Sequence, residues 1–453
     1  MYRLIFSALQ WERLRHHLEA AGRREEGAFL LFRIGRGTRG YRLLVHDLLL
    51  PDNAAWESSG QDHLRPSSQW VSAAAGAAIE RQSGLAFIHS HPDTRHPPEL
   101  SAVDRETSAV WARTLAPLTG NPFVSLVWSP RGVTGLAFEQ DRAHPQLVDH
   151  VEAQGQGTLR RLHLPMTQSE DLALDDRQVR ALSALGNATA RELHVGIVGA
   201  GGTGSPVAEQ LARIGVEHLT LVDPDVLDTE SNVRRVVGST VADVGAGLHK
   251  TTVVARHLAA IGLTSDLAVL PLDVRTQDVA RQLLDLDLVI TTTDTHSSRA
   301  FLNQLAYQYW LPVLDVGVRV GTTRSGAVSG MPVELRALLP DTGCLWCRRV
   351  LSADRIRTEN LPPAERERLA EEGYVQGIEA PVPSLAPLNY YAAALAVLTA
   401  LRLYSGQPVP GTAVISDAWE QYVQWSNPEI EPDCICHRWR GLADAVAMSY
   451  LPS

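Results

Sequence analysis

The stretch "GLAFIHSHPDTRHPPELSAVDRE", residues 84–106, gathers His89, His91, His96, Ser101 and Asp104 directly behind an apolar run. Imidazoles and a carboxylate set that close together form either a solvated polar loop or the ligands of a metal ion. The chain's four cysteines fall in two tight pairs, Cys344 with Cys347 in "GCLWC" and Cys434 with Cys436 in "DCICH". Four thiols are too few for a disulfide scaffold in 453 residues, and paired thiols of this kind read as metal ligands. A third group, "VGIVGAGGTGS", puts Gly199, Gly201 and Gly204 in G-x-G-x-x-G spacing, with Gly202 among them. Glycines there let the backbone turn tightly and approach phosphates, whose charge the following helix N-terminus meets. Asp223, closing the next strand, is set to accept hydrogen bonds from ribose hydroxyls. That much suits NAD as well as ATP.

These groups need elements to position them. Through residues 1–140, short apolar runs such as "GAFLLF", "YRLLVHDLLL" and "FVSLVWS" alternate with helical stretches near 8–20 and 68–82, which predicts a mixed α/β domain. The polar stretch 139–161 has little periodicity and reads as a connection. From about residue 176, strand–helix alternation predicts a largely parallel, doubly wound sheet. We therefore expect domains at 1–145 and 173–453, joined by a linker at 146–172. A net charge of -10 without a basic stripe argues against a nucleic-acid partner. The longest apolar run, "YYAAALAVLTAL", is too short for a membrane span, and the first residues lack the apolar core of a signal peptide. A soluble cytoplasmic protein with no membrane partner is the expectation.

Beyond Asp223 come Asp225, then Asn232 and Arg235 in "SNVRR", Lys250 in "GLHKTT" and Asp294 in "TTDTHSSR". Across about 170–440 this set resembles the ubiquitin-activating-enzyme-like (ThiF/MoeB) superfamily, with "NVRR" standing where N-L-x-R-Q is usual. The resemblance implies a Rossmann-like domain that uses ATP to adenylate the C-terminal carboxylate of a small ubiquitin-like protein. Charge builds on the phosphoryl oxygens in that reaction, so Arg235 and Lys250 are expected to stabilise it. Asp294 is the expected Mg²⁺ ligand, because Mg²⁺ prefers carboxylate, phosphate and water oxygens. Arg177 in "DDRQVRAL" matches a family arginine that reaches a partner subunit's nucleotide, which implies a homodimer.

Many members of the superfamily carry a structural tetrahedral zinc from two C-x-x-C pairs. Here the second pair is C-x-C, which leaves open whether Cys436 or His437 is the fourth ligand beside Cys344, Cys347 and Cys434. If all four thiols hold zinc, none is left for a thioester. The adenylate then passes directly to another protein or a sulfur source, or a hydroxyl such as that of Ser384 relays it.

The opening stretch resembles the JAMM (JAB/MPN) metalloprotease motif, with a slightly longer gap before S-x-x-D, and the resemblance covers about 1–140. It implies a catalytic zinc held by His89, His91 and Asp104, with water in the fourth position and its pKa lowered towards ~7. Ser101 would hydrogen-bond the oxyanion, and Glu25, with Glu26 second, would be the general base. His96 falls in the longer loop and reads as a surface residue.

The chain thus reads as an α/β protein: an N-terminal mixed-sheet JAB/MPN domain plus a C-terminal Rossmann-like doubly wound ThiF/MoeB domain with a zinc knuckle. Zinc, ATP and Mg²⁺ are its expected cofactors. The expected function is processing and adenylation of one ubiquitin-like protein in a prokaryotic conjugation pathway, with a conjugating enzyme as a further partner and, by analogy, a role in antiviral defence. The alternative is activation of a sulfur carrier for cofactor, tRNA or natural-product synthesis. A decayed scaffold is a third reading, against which the complete motifs in both halves weigh.

Overall fold

The computed structural model describes residues 1–52, 54–92, 98–142, 144–155, 157–162, 172–371 and 383–448; His96 lies outside them. The chain divides into two units, Met1–Met166 with Arg440–Ala447, and Thr167–Trp439 with Met448–Ser453.

The first unit runs β1 (Tyr2–Ser7), α1 (Ala8–Ala20), β2 (Gly27–Arg36), β3 (Tyr41–Leu49), β4 (Trp56–Ser59), β5 (Leu64–Pro66), α2 (Ser68–Glu80) and β6 (Gly84–Ser90). It continues with α3 (Ala102–Thr119), β7 (Phe123–Ser129), β8 (Gly132–Phe138), β9 (Gln146–Leu147), β10 (His150–Gly155) and β11 (Thr158–Arg161). Nine strands form one mixed sheet in the order β11-β10-β1-β3-β2-β6-β7-β8-β9, and β4 with β5 makes a separate hairpin.

Both faces of this sheet are covered, so its central strands read as continuous apolar runs rather than alternating ones. In β2, Ala28, Leu30 and Phe32 pack in a cluster with Trp11 and Leu14 of α1. Phe29 and Leu31, on the other face, pack in a cluster with Ala74 of α2 and Leu115 of α3. In β6 the same period of two sends Leu85 and Phe87 to the second face, and His89 continues that row.

Two expectations fail here. Residues 146–161, read as linker, form β9, β10 and β11; Val151 and Ala153 of β10 are buried core, and β10 pairs in parallel with β1. Few strand signals mark this stretch because the face opposite Val151 and Ala153 is buried too but carries Glu152 and Gln154. In addition, Arg440–Ala447 groups with the first unit, where Asp444 Oδ2 accepts from the Arg36 backbone N–H at 2.8 Å.

The second unit runs α4 (Leu172–Arg191), β12 (His194–Val198), α5 (Gly204–Arg213), β13 (His218–Val222), α6 (Glu230–Val233), α7 (Val241–Gly245), α8 (Lys250–Ile261), β14 (Asp266–Leu270), α9 (Gln277–Leu283) and β15 (Leu288–Thr291). Then come α10 (His296–Gln308), β16 (Val313–Val318), β17 (Gly321–Thr322), β18 (Val328–Gly330), β19 (Pro332–Leu338), α11 (Ala353–Glu359), α12 (Pro363–Glu371), α13 (Ala386–Tyr404), β20 (Ala413–Asp417), β21 (Tyr422–Ser426) and α14 (Ile435–Trp439). Its eight-stranded sheet has the order β14-β13-β12-β15-β16-β19-β20-β21. The first five strands are parallel, as the alternation predicts, and the last three are antiparallel. The strand order reverses at β12, which lies between β13 and β15; in such sheets ligands bind beyond the carboxyl ends of the strands at that point. The apolar run read as a buried helix is α13, and among the described residues no helix is long and apolar enough to cross a membrane.

Candidate active sites and metal centre

In the first unit, β6 delivers His89, and the His91 N–H continues the strand by donating to Trp128 O at 2.8 Å. The two imidazoles therefore sit two residues apart on one face, and the His89 ring stacks on Phe87 with centroids 5.8 Å apart. Asp104 enters from the first turn of α3, whose N-cap is Ser101: Ser101 Oγ accepts from Asp104 N at 3.1 Å, and Ser101 N donates to Asp104 Oδ2 at 2.8 Å. The capping box thus aims the carboxylate. His89 Nε2 is 3.1 Å from His91 Nε2 and 3.4 Å from Asp104 Oδ1, and His91 Nε2 is 3.6 Å from Asp104 Oδ2.

Glu25 is buried just before β2, with Oε1 3.7 Å from His91 Nε2. The β4–β5 hairpin clasps its main chain: Glu25 N donates to Gly60 O at 2.8 Å, and Ser59 Oγ donates to Glu25 O at 3.2 Å. Burial raises its pKa to about 7. Burial lowers the pKa of His91. For Asp104 burial works in the opposite sense, but hydrogen bonds from His89 and Ser101 outweigh it and hold the carboxyl well below its usual range. All five groups line one cavity of about 1210 Å³, which extends past Trp111 and the β4–β5 hairpin.

Glu26, the second candidate base, is turned away. Its Oε1 lies 3.7 Å from His17 of α1, on the opposite side of the strand. Ser101 lines the cavity, but its oxygen is also the helix cap.

In the second unit, the loop after β12 holds Gly199 at φ +94°, and a Cβ on Gly204 would lie 1.7 Å from Gly199 O. Only glycine fits that approach. A Cβ on Gly201 would meet nothing within 4 Å, and Gly201 lines an open cavity of about 420 Å³. Asp223, at the end of β13, accepts from Ala200 N at 2.6 Å and Asp225 N at 2.9 Å. Burial raises its pKa, with those N–H groups and Lys250 opposing. Lys250 Nζ, at the start of α8, donates to Asp225 Oδ2 at 2.7 Å. Arg235 Nη2 donates to Asn232 Oδ1 at 3.1 Å, and the buried Asn232 is itself held by Asp228.

Gly199, Gly201, Gly202, Asp223, Asp225, Asn232, Arg235, Lys250, Asp294 and Ser384 all line this cavity. Gly204 lies behind it under the glycine loop, and Arg177 is exposed on α4 outside its own chain's cavity lining. Asn389 and Glu359 are among the lining residues that the sequence reading did not name. Asn389, 1% exposed at the start of α13, accepts from Thr203 Oγ1 at 3.3 Å and donates to Ser384 Oγ at 3.0 Å. An amide inside the apolar run "PLNYYAAALAV" was the available signal. Glu359 lines the cavity from α11, and no local pattern distinguishes it from its charged neighbours.

The four cysteines converge. Cys344 Sγ is 3.7 Å from Cys347 Sγ and 3.5 Å from Cys434 Sγ, and Cys347 Sγ is 3.8 Å from Cys436 Sγ. Four thiolates around one Zn²⁺ at ~2.3 Å are separated by about 3.8 Å, so the spacing fits a tetrahedral ion. Cys436 belongs to the cluster and His437 does not. A hydrogen bond from Cys436 and the other thiols lower the pKa of Cys344, whereas burial pushes Cys434 up to about 12.

Residues 175–437 match the ThiF family. Over 155 residues the chain is 31% identical to the SAMP-activating enzyme E1 of Haloferax volcanii, an alignment covering 33% of this chain and 51% of that protein. It is 27% identical over 238 residues to the sulfur carrier protein adenylyltransferase of Thermus thermophilus, covering 52% of this chain and 79% of that one. Among solved structures, E. coli MccB aligns at 19% identity and a TM-score of 0.47 over 60% of this chain and 74% of its own. The chain spans about half the length of the Haloferax relative.

Proposed function

The chain belongs to the ThiF family, and we propose that its second unit adenylates the C-terminal carboxylate of a small sulfur-carrier or ubiquitin-like protein. The observation that carries this reading is the one cavity at the carboxyl end of β12 in which the glycine loop, Arg235, Lys250 and Asp294 meet. In the proposed reaction a carboxylate oxygen of the carrier attacks the α-phosphorus of ATP. The bond from that phosphorus to the bridging oxygen breaks, and pyrophosphate leaves with the electron pair. Gly201 leaves room for the phosphates, and the loop leads into α5, whose N-terminal dipole end favours their charge. Asp223 and Asp225 take the ribose side, while Arg235 and Lys250 supply positive charge where it develops on the phosphoryl oxygens. The pairing of Lys250 with Asp225 holds the ammonium at the cavity until phosphates compete for it. Asp294 offers a hard oxygen donor to Mg²⁺, which would neutralise phosphate charge.

The sequence reading favoured conjugation, with sulfur-carrier activation as the alternative. The names of the relatives, one of them a sulfur carrier protein adenylyltransferase, support the alternative better. Arg177, exposed and away from its own cavity, suits a role at a second copy's cavity and so a homodimer. The cysteine cluster is assigned to a structural zinc. Carrier-dependent exchange of pyrophosphate into ATP tests the reading: it requires a small protein with a free C-terminal glycine, and no exchange with any such carrier overturns it.

A second reading concerns the first unit, which we propose to be a zinc metallopeptidase that trims or releases the same carrier. His89, His91 and Asp104 converge with donor separations of 3.1, 3.4 and 3.6 Å, which suit one Zn²⁺, and Glu25 stands beside them. Zn²⁺ would supply an acidified water there. Glu25, buried and 3.7 Å from His91 Nε2, is placed to hold that water's proton and return it to the leaving amine. Cleavage of a carrier precursor that persists in Glu25→Gln and His91→Ala would contradict this role.

A further inference from the structure

α10 begins at the edge of the nucleotide cavity, two residues after Asp294, and its first N–H groups need acceptors. Its N-cap, Thr295, makes no side-chain cap; the hydroxyl donates instead to Ser298 Oγ at 2.8 Å. The cap comes from 63 residues away in the sequence. Glu359, at the end of α11, accepts from His296 N through Oε1 at 2.9 Å and from Ser297 N through Oε2 at 2.7 Å. Ser297 Oγ also donates to Oε2, at 2.6 Å. The other end of α11 is tied to the same turn, where Ser352 N donates to His296 Nδ1 at 3.2 Å. Asn360, next in sequence, accepts from Arg275 Nη1 at 2.6 Å.

A bidentate carboxylate on two consecutive N–H groups is a strong, charge-assisted cap, favoured further by the helix dipole. It fixes the backbone of the turn that presents Asp294, whose own side chain is exposed to the cavity. We infer that Glu359 is a positioning residue for Asp294, setting through the capped turn how well this chain gathers Mg²⁺·ATP. The inference rests on the nucleotide reading above.

The test is calorimetric titration of the full chain with ATP, without metal and with saturating Mg²⁺. In the wild type Mg²⁺ should tighten ATP binding, and Asp294→Ala should abolish that gain. Glu359→Ala should cut the gain about tenfold, at the low end for losing a group that orients a metal ligand, and should weaken ATP binding with Mg²⁺ far more than without it. Glu359→Gln, whose carbonyl oxygen can still accept one N–H, should retain most of the gain, and it decides the matter if the alanine variant fails to fold. An undiminished Mg²⁺ gain in Glu359→Ala overturns the inference alone, as does an equal loss of affinity with and without metal, which would mark a merely structural cap. A wild type that binds no ATP overturns the nucleotide reading and the inference with it.

Discussion

The sulfurs of Cys344 and Cys434 are 90 residues apart in the chain and 3.5 Å apart in space. Four thiols at such distances repel as thiolates and are held together by a cation, so the cluster predicts bound zinc. With the His89, His91 and Asp104 group counted as well, zinc content should be about two per chain. Cys344→Ser should lower the melting temperature and shed one zinc, because structural zinc binding contributes directly to folding. His91→Ala should shed one zinc with little loss of melting temperature. Purified protein with no zinc contradicts both assignments.

Glu25 gives a pH dependence whose sign is fixed. Its pKa is raised by burial to about 7, above the unfolded value, so between the two the folded state holds a proton that the unfolded chain has lost. The stability this contributes is full below about pH 4.5 and is lost as pH rises through about 7. Glu25→Gln cannot ionise. In metal-free protein the variant's melting temperature should gain on the wild type between about pH 5 and about pH 8. Parallel melting curves for the two proteins would refute the burial of an ionisable Glu25.

That the glycine loop and the residues Asp223, Asn232, Arg235, Lys250 and Asp294 would gather at one cavity was legible because each is spaced against a strand or helix end. Glu25 and Glu26 were not separable in the sequence. They are adjacent, and only the pairing of Gly27 with His89 decides which of them faces the cavity. Glu359 was invisible for a related reason: its role is made by a contact across 63 residues, which no local pattern records, whereas Asn389 showed only as an amide inside an apolar run. The strands of 146–161 were missed because a buried strand that carries Glu152 and Gln154 looks polar.

The chain has four cysteines and all four sit in the cluster, so no thioester to the carrier should form on it. Incubation with ATP and carrier, followed by non-reducing electrophoresis, should give no reductant-sensitive adduct. A hydroxylamine-sensitive oxyester lost in Ser384→Ala would be compatible with the site, since Ser384 lines the nucleotide cavity. A reductant-sensitive adduct lost in Cys436→Ala would contradict the prediction.

The central claim is that this chain makes a carrier adenylate, and intact-mass analysis of the carrier after incubation with ATP and Mg²⁺ tests it most directly. The wild type should yield carrier bearing one AMP on its C-terminal carboxylate. Arg235→Ala should slow its formation by ~10²-fold or more, the scale for losing a charge partner of the transition state. Asp294→Ala should lose the Mg²⁺ dependence. AMP-carrier formed at the wild-type rate by both variants would contradict the account.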